Sequence, residues 1–248
     1  MKMPRVRIFA DEEALSRAAA ELFAQTASAA VADHGRCAVL LAGGETPRRA
    51  YELLAEEPLA SRIPWPQVHV FWGDERCLPA GDPRRNEVMA RQALLDRVPL
   101  DPAHLHPIRC HPAPEQAAAA YEAELRQFFG RNPPCFDLIF LGLGTDGHTA
   151  SLLPASRALA AQREWTAVTR RPEESFSRVT LTAPLLNQAD LAVFLVTGGN
   201  KAETLRAVLT GRQPPLPAQL IVPQHGRLLW LVDREAASLW EKTEHAAP

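Results

Sequence analysis

Asp146 and His148 stand together in the run Gly142-Leu143-Gly144-Thr145-Asp146-Gly147-His148-Thr149-Ala150-Ser151. Histidine titrates near neutral pH, so His148 suits a general base that draws a proton from water. Three glycines let the backbone turn tightly and present both side chains at one place. The residues alone leave open whether Asp146 or another group orients the ring. Ser151 lacks the G-x-S-x-G surroundings of a nucleophile, so capping or packing is expected of it.

Two further stretches could hold an anion. Ala42-Gly43-Gly44-Glu45-Thr46-Pro47 lies between an apolar run and a helical pattern, with Pro47 suited to a first helical turn. Free backbone N–H groups at such a start, approached closely because glycine lacks a Cβ, make a phosphate cradle. An ordinary tight turn explains the stretch as well, and it is not a G-x-G-x-x-G dinucleotide fingerprint. Lys201, after Gly198-Gly199, places an ammonium beside another helix start, where a cation opposes the helix dipole. A solvated surface lysine is the alternative. Arg76, in Gly73-Asp74-Glu75-Arg76, offers a bidentate fork for phosphate or carboxylate, or else an ion pair with its acidic neighbours. The other seven of the eight histidines, including His104, His106 and His111, are expected to be structural, because no Cys or carboxylate spacing supports a metal.

The elements that must position these residues follow from hydrophobic periodicity. Asp11 to His34 reads as an amphipathic helix with an acidic first turn, stopped by Gly35. Arg36–Leu41, Val68–Trp72, Phe136–Leu141 and Leu191–Val196 are short, nearly continuous apolar runs, as expected of strands buried on both faces. Leu228 to Val232 is expected as a final strand. Helical segments such as Glu115–Phe129 and Lys201–Leu209 lie between, so a mostly parallel sheet is predicted. Each glycine-rich, charged cluster follows a strand, and ligands of open parallel sheets bind beyond the carboxyl ends of strands. The clusters should therefore converge. Pro99 to Pro114 is expected as an irregular excursion and Arg212 to Pro217 as a Pro-braced loop.

Composition sets limits. The chain has 248 residues, 46% of them hydrophobic, enough for one full α/β core. A formal net charge of -2 gives no basic footprint for nucleic acid. No apolar stretch approaches the roughly 18 to 20 residues that span a bilayer. Met1-Lys2-Met3-Pro4-Arg5 leads into Asp11-Glu12-Glu13 without an apolar core, so no signal peptide is read. Cys37, Cys77, Cys110 and Cys135 form no CxxC pair and are expected as reduced, mostly buried thiols.

Across its length the sequence resembles the 6-phosphogluconolactonase family, of the type related to glucosamine-6-phosphate deaminases. The stretches that carry the resemblance are Ala42–Pro47, Phe71–Cys77 with Asn86 and Met89 beyond, Phe136–Pro154, Arg178–Thr182, Phe194–Lys201 and Pro217–Asp233. The most specific is Asp146-Gly147-His148-Thr149-Ala150-Ser151. The resemblance implies a single α/β domain over 1–248, a doubly wound, mostly parallel sheet flanked by helices (NagB/RpiA-like), with a small irregular subdomain. It implies hydrolysis of 6-phospho-D-glucono-1,5-lactone in the oxidative pentose phosphate pathway, in the cytoplasm, without metal or organic cofactor. His148 would be the base, with Asp146 and Asp74 nearby. Gly43, Gly44, Thr46, Arg76, Gly144, Arg178 and Lys201 would bind substrate. The implied partner is the small sugar-phosphate lactone, with no nucleic acid or membrane, in a monomer or small homo-oligomer.

The sequence departs from the family at Glu45, where a small hydroxyl residue is usual, and at Thr145. A carboxylate would repel a phosphate, so Glu45 is expected to point away. Two rivals are weighed. A glucosamine-6-phosphate deaminase carries a glutamate five positions after the histidine, where this chain has Leu153. A sugar-phosphate sensor would bind without turnover.

Overall fold

The computed structural model describes residues 5–111, 113–130 and 135–240. Met1–Pro4 and Pro112 of the Pro-rich stretch lie outside the described residues. Among the described residues ten strands run in chain order: β1 (Arg5–Phe9), β2 (Cys37–Leu41), β3 (Val68–Trp72), β4 (Asp74–Arg76), β5 (Leu105–His106), β6 (Leu138–Gly142), β7 (Thr166–Thr169), β8 (Arg178–Leu181), β9 (Leu191–Val196) and β10 (Arg227–Asp233). Seven form a sheet in the order β1-β10-β9-β6-β2-β3-β5, with every pairing parallel.

The central strands explain themselves. All five residues of β2 and all six of β9 are buried, so their apolar runs are covered on both faces by helices. The helix Glu12–His34 begins where the Asp11 carboxylate accepts the Ala14 N–H at 2.8 Å and ends at Gly35, whose φ of 82° is left-handed. It buries Leu15, Ala19, Phe23 and Ala27, and the full burial of Phe23 alone contributes about 1.5–3 kcal/mol.

The chain winds from β2 outward through β3 to β5, then returns to β6 on the other side of β2 and continues through β9 to β10. The order therefore reverses between β2 and β6. That switch point is where an open parallel sheet leaves a crevice at its carboxyl ends.

The smaller part of the molecule differs from expectation. In place of an irregular subdomain, β4, β8 and β7 form an antiparallel sheet, with Arg76 paired to Arg178 and Thr169 paired to Arg178 on its other side. The Pro-rich stretch is also less irregular than its composition suggests. Its Leu105–His106 pairs with Val70–Phe71 as the sheet edge, and the next helix starts at Pro114.

The cysteine reading needs a correction. Cys77 and Cys110 form a disulfide, with their Cα atoms 5.0 Å apart. Arg85 brings the two segments together: its guanidinium donates to Ile108 O at 3.3 Å and lies 3.7 Å from the buried Glu75. Cys37 and Cys135 are free thiols, Cys37 buried and Cys135 pushed up to about 12 by burial.

His69, His104 and His106 pack together under Phe128, with the His69 and His104 ring centroids 3.9 Å apart. Among the described residues no group of three or more His, Cys, Asp or Glu could hold a metal ion. Burial, reinforced by the charges of His104, His106 and Arg36, lowers His69 to about 4. An unfolded histidine takes its proton near pH 6.5, so between about 6.5 and 4 the unfolded chain binds more protons than the folded one. Stability should fall as pH drops through that window. The expected result is a Tm lower at pH 5 than at pH 7.5 by a margin that shrinks in His69→Gln; equal margins would remove His69 as the cause.

Candidate active site

Five strand ends supply the site. Beyond β2, Gly44 adopts φ 105° and caps the helix Glu45–Leu54 without any side-chain hydrogen bond, leaving the first-turn N–H groups free. Beyond β3, the chain passes through Gly73 into Asp74 and Arg76. Beyond β6 comes the loop that carries Asp146 and His148, and beyond β9 the turn that carries Lys201. Asp233, at the end of β10, accepts the Gly198 N–H at 2.9 Å and so fixes the Lys201 turn.

These ends enclose a cleft of about 340 Å³. Gly43, Gly44, Thr46, Asp74, Arg76, Gly144, His148, Arg178 and Lys201 all line it. Asp146 stands behind His148. Its Oδ1 accepts from the His148 ring Nδ1 at 2.5 Å and from the His148 backbone N–H at 3.1 Å. A carboxylate only accepts, so the ring contact puts the imidazole proton on Nδ1 and leaves Nε2 with its lone pair. Burial raises Asp146, but hydrogen bonds from His148 and Arg171 outweigh it and hold the carboxyl at about 2.

Two glycines are required by close approach. A Cβ at Gly43 would overlap the side-chain amide of Asn86, and one at Gly144 would overlap the His148 ring. Gly144 N–H also donates to His148 O at 2.8 Å, so the loop closes on itself around the histidine.

The cations differ in availability. Arg178 is largely engaged: its Nε donates to Glu174 at 2.9 Å, a second guanidinium nitrogen bonds the same carboxylate, and Nη1 lies 4.0 Å from Asp74. Arg76 forms no ion pair with Asp74 or Glu75 among the described residues, and its guanidinium donates to Arg84 O. Glu75 instead turns inward, where burial raises it to about 7 against the N–H groups of Glu87, Asn86 and Arg76 that it accepts. Lys201 has no carboxylate within ion-pair distance among the described residues. Burial lowers it, with Asp146 opposing. An anion in the cleft would reverse that lowering.

Asp74 is tightly anchored. Ser151 Oγ donates to it at 2.5 Å and Asn86 Nδ2 at 3.1 Å. Ser151 is thus a fully buried tether, in keeping with packing and not with capping or nucleophilic attack. Thr46 Oγ1 lies 2.8 Å from Thr197 Oγ1 across the cleft floor. Glu45 is not wholly removed from the site: it is among the residues at the cleft, with a side chain 87% exposed and 3.8 Å from Arg48. Leu153 is buried, so no carboxylate stands at that place.

Sequence reasoning missed Arg171. Its Nη1 bonds Asp146 Oδ2 at 2.9 Å and its Nη2 lies 2.9 Å from His148 Nδ1. It sits in the loop joining β7 to β8, in Arg170-Arg171-Pro172-Glu173, where no spacing signals a role. Asn86 was noted only within the resemblance, and its place beneath Gly43 is visible only in three dimensions.

Comparison with known proteins fits this geometry. The family model for "Glucosamine-6-phosphate isomerases/6-phosphogluconolactonase" matches residues 10–230. A 6-phosphogluconolactonase of Synechocystis sp. is 40% identical over 239 residues, covering 94% of this chain and 97% of that protein. One of Streptomyces coelicolor is 35% identical, covering 95% and 94%. The solved 6-phosphogluconolactonase of Trypanosoma cruzi superposes with a TM-score of 0.86 at 27% identity, covering 96% of this chain and 97% of that one. A monomeric glucosamine-6-phosphate deaminase shares the fold, with a TM-score of 0.80 at 22% identity and coverage of 95% and 99%. With a family match over residues 10–230 and relatives 35–40% identical across 94–95% of its length, this chain belongs to the glucosamine-6-phosphate isomerase and 6-phosphogluconolactonase family.

Proposed function

We propose that this protein hydrolyses 6-phospho-D-glucono-1,5-lactone to 6-phosphogluconate, the second step of the oxidative pentose phosphate pathway. The observation that carries the reading is the placement of a carboxylate-oriented histidine, His148, in the same cleft as Arg76 and Lys201, neither in an ion pair among the described residues, and the open turn at Gly43 and Gly44. The lactonase relatives support the choice of substrate. Leu153 speaks against the deaminase.

A lactone is an activated ester, so one well-placed base and cationic stabilisation of the oxyanion suffice. His148 Nε2 takes a proton from water as its oxygen bonds to C1. Collapse of the tetrahedral intermediate breaks the bond from C1 to the ring oxygen, which takes the proton from the His148 imidazolium as it leaves and so regenerates the base. The new carboxylic acid then loses its proton to solvent. Arg76, Lys201 and the amides near Gly43 and Gly44 hold the phosphate, far from the reacting carbon, and so orient it. Thr46 and Gly144 shape the walls. Arg178, already paired with Glu174, and Asp74, tied to Ser151, keep the floor rigid. No metal or organic cofactor enters this scheme. All these residues come from one chain, so a monomer or a small homo-oligomer would serve, and the cytoplasm is the compartment proposed.

The test is to form the lactone in situ from glucose 6-phosphate with a dehydrogenase and follow its loss at slightly acidic pH. Acceleration by the protein is expected, and Lys201→Ala should lower kcat/KM by about 10–100-fold, as loss of a charge-assisted contact does. Binding of 6-phosphogluconate without any acceleration would favour the sensor.

A further inference from the structure

We infer that Arg171 is a positioning residue, which holds the Asp146 carboxylate so that His148 keeps its proton on Nδ1 and offers Nε2 as the base. The role of His148 as base rests on the reading given under Proposed function; the position of its proton does not. Asp146 has two oxygens with separate duties. Oδ1 faces the His148 ring at 2.5 Å, and Oδ2 is bonded by Arg171 Nη1 at 2.9 Å. Without a partner on Oδ2, the carboxylate could rotate about its Cβ–Cγ bond and Oδ1 would leave the ring, since that torsion is broad and weakly restrained. Arg171 supplies the missing restraint from outside the cleft. It is absent from the cleft lining and sits on a separate loop, so it acts through Asp146 and not on substrate.

The second contact sharpens the argument. Arg171 Nη2 lies 2.9 Å from His148 Nδ1, the nitrogen that Asp146 also approaches. One ring nitrogen cannot donate to a carboxylate and accept from a guanidinium together. The carboxylate is closer, and it stays charged because its carboxyl is held far below neutrality. Nδ1 therefore carries the proton and is bonded to Asp146 alone; Arg171 acts through Asp146 Oδ2 and makes no hydrogen bond to the ring in this tautomer. In water a free imidazole favours the other tautomer, so the arrangement must be enforced by its neighbours. Glu173, 3.7 Å from Arg171 Nη1, draws the guanidinium outward and is the only competing carboxylate described at its side.

The pair is partly exposed, with Arg171 and Asp146 side chains 23% and 33% accessible, so little stability depends on it. The effect to look for is orientation. Arg171→Gln should lower kcat about tenfold, the scale of one hydrogen bond to a charged group, with KM changed less than twofold and Tm nearly unchanged. The 15N signals of the His148 ring, assigned by their loss in His148→Asn, should shift from the Nδ1–H pattern of the parent toward Nε2–H. Free guanidinium should restore part of kcat in Arg171→Ala but none in His148→Asn. An unchanged tautomer in Arg171→Gln would overturn the inference, whatever the kinetics. A parent protein that fails to hydrolyse the lactone would overturn the proposed function instead, and the 15N measurement would still decide the role of Arg171.

Discussion

Replacing His148 by Asn is expected to lower kcat for lactone hydrolysis by about 10²–10⁴, the range that a lost general base removes. Asparagine is close in size and can still donate from its amide toward Asp146, so the loop has no cause to collapse. The ring is only partly buried, and the loop is closed by backbone bonds from Gly144 N to His148 O and from Gly147 N to Gly144 O. Product affinity should therefore stay within a few-fold, because Arg76, Lys201 and the Gly43-Gly44 turn are untouched. Stopped assays for rate and calorimetry with 6-phosphogluconate for affinity separate the two quantities. A variant with parental kcat would falsify His148 as the base. Because Asp146 sits near 2, it stays a carboxylate across any practical assay range.

Gly144→Ala is the second large effect, and its cause is purely steric. Gly144 does not occupy the left-handed region, so its φ does not itself exclude alanine. The added Cβ would nevertheless overlap His148 Nδ1 and Cε1 and crowd Asp146 Oδ1. His148 cannot retreat, because its own carbonyl is bonded to Gly144. The ring must rotate away from Asp146, and a base misplaced by about 1 Å costs on the order of 10²-fold in rate. Gly44→Ala makes the useful contrast. There φ is 105°, so the strain falls on the helix start, and phosphate affinity should suffer more than kcat. If both variants lose affinity and rate alike, the steric account of Gly144 fails.

The parallel strands were legible because each is a continuous apolar run closed by glycine or a charged turn, as β2, β3, β6 and β9 show. The three-stranded sheet was not. Asp74-Glu75-Arg76 reads as a polar loop, and it becomes a strand only because β8, a hundred residues on, offers its edge. β1 was missed for a related reason: it lies at the sheet edge, with Arg5 and Arg7 exposed and Val6, Ile8 and Phe9 only half-buried, so it carries no buried run. At the site, Asp146 and His148 are neighbours in sequence and their partnership is local. Arg171 reaches them from another loop, and nothing in its own surroundings announces the contact. The disulfide between Cys77 and Cys110 has the same character, since it depends on Arg85 folding Ile108 back onto β4.

The pairing of β1 with β10, in which Arg5 lies opposite Leu229, has a consequence for biosynthesis. A chain emerging from the ribosome exposes β1 long before its only sheet neighbour has been made. During that interval the Lys201 turn also lacks Asp233, which closes it from the end of β10. The half of the crevice built on β2 and β3 can assemble early, from contacts close in sequence, whereas the Lys201 side of the anion site waits for the last strand. Nascent chains released before Asp233 should thus carry an organised sheet centre and a phosphate site whose Lys201 turn is unfixed, so synthesis of β10 is the step that completes ligand recognition.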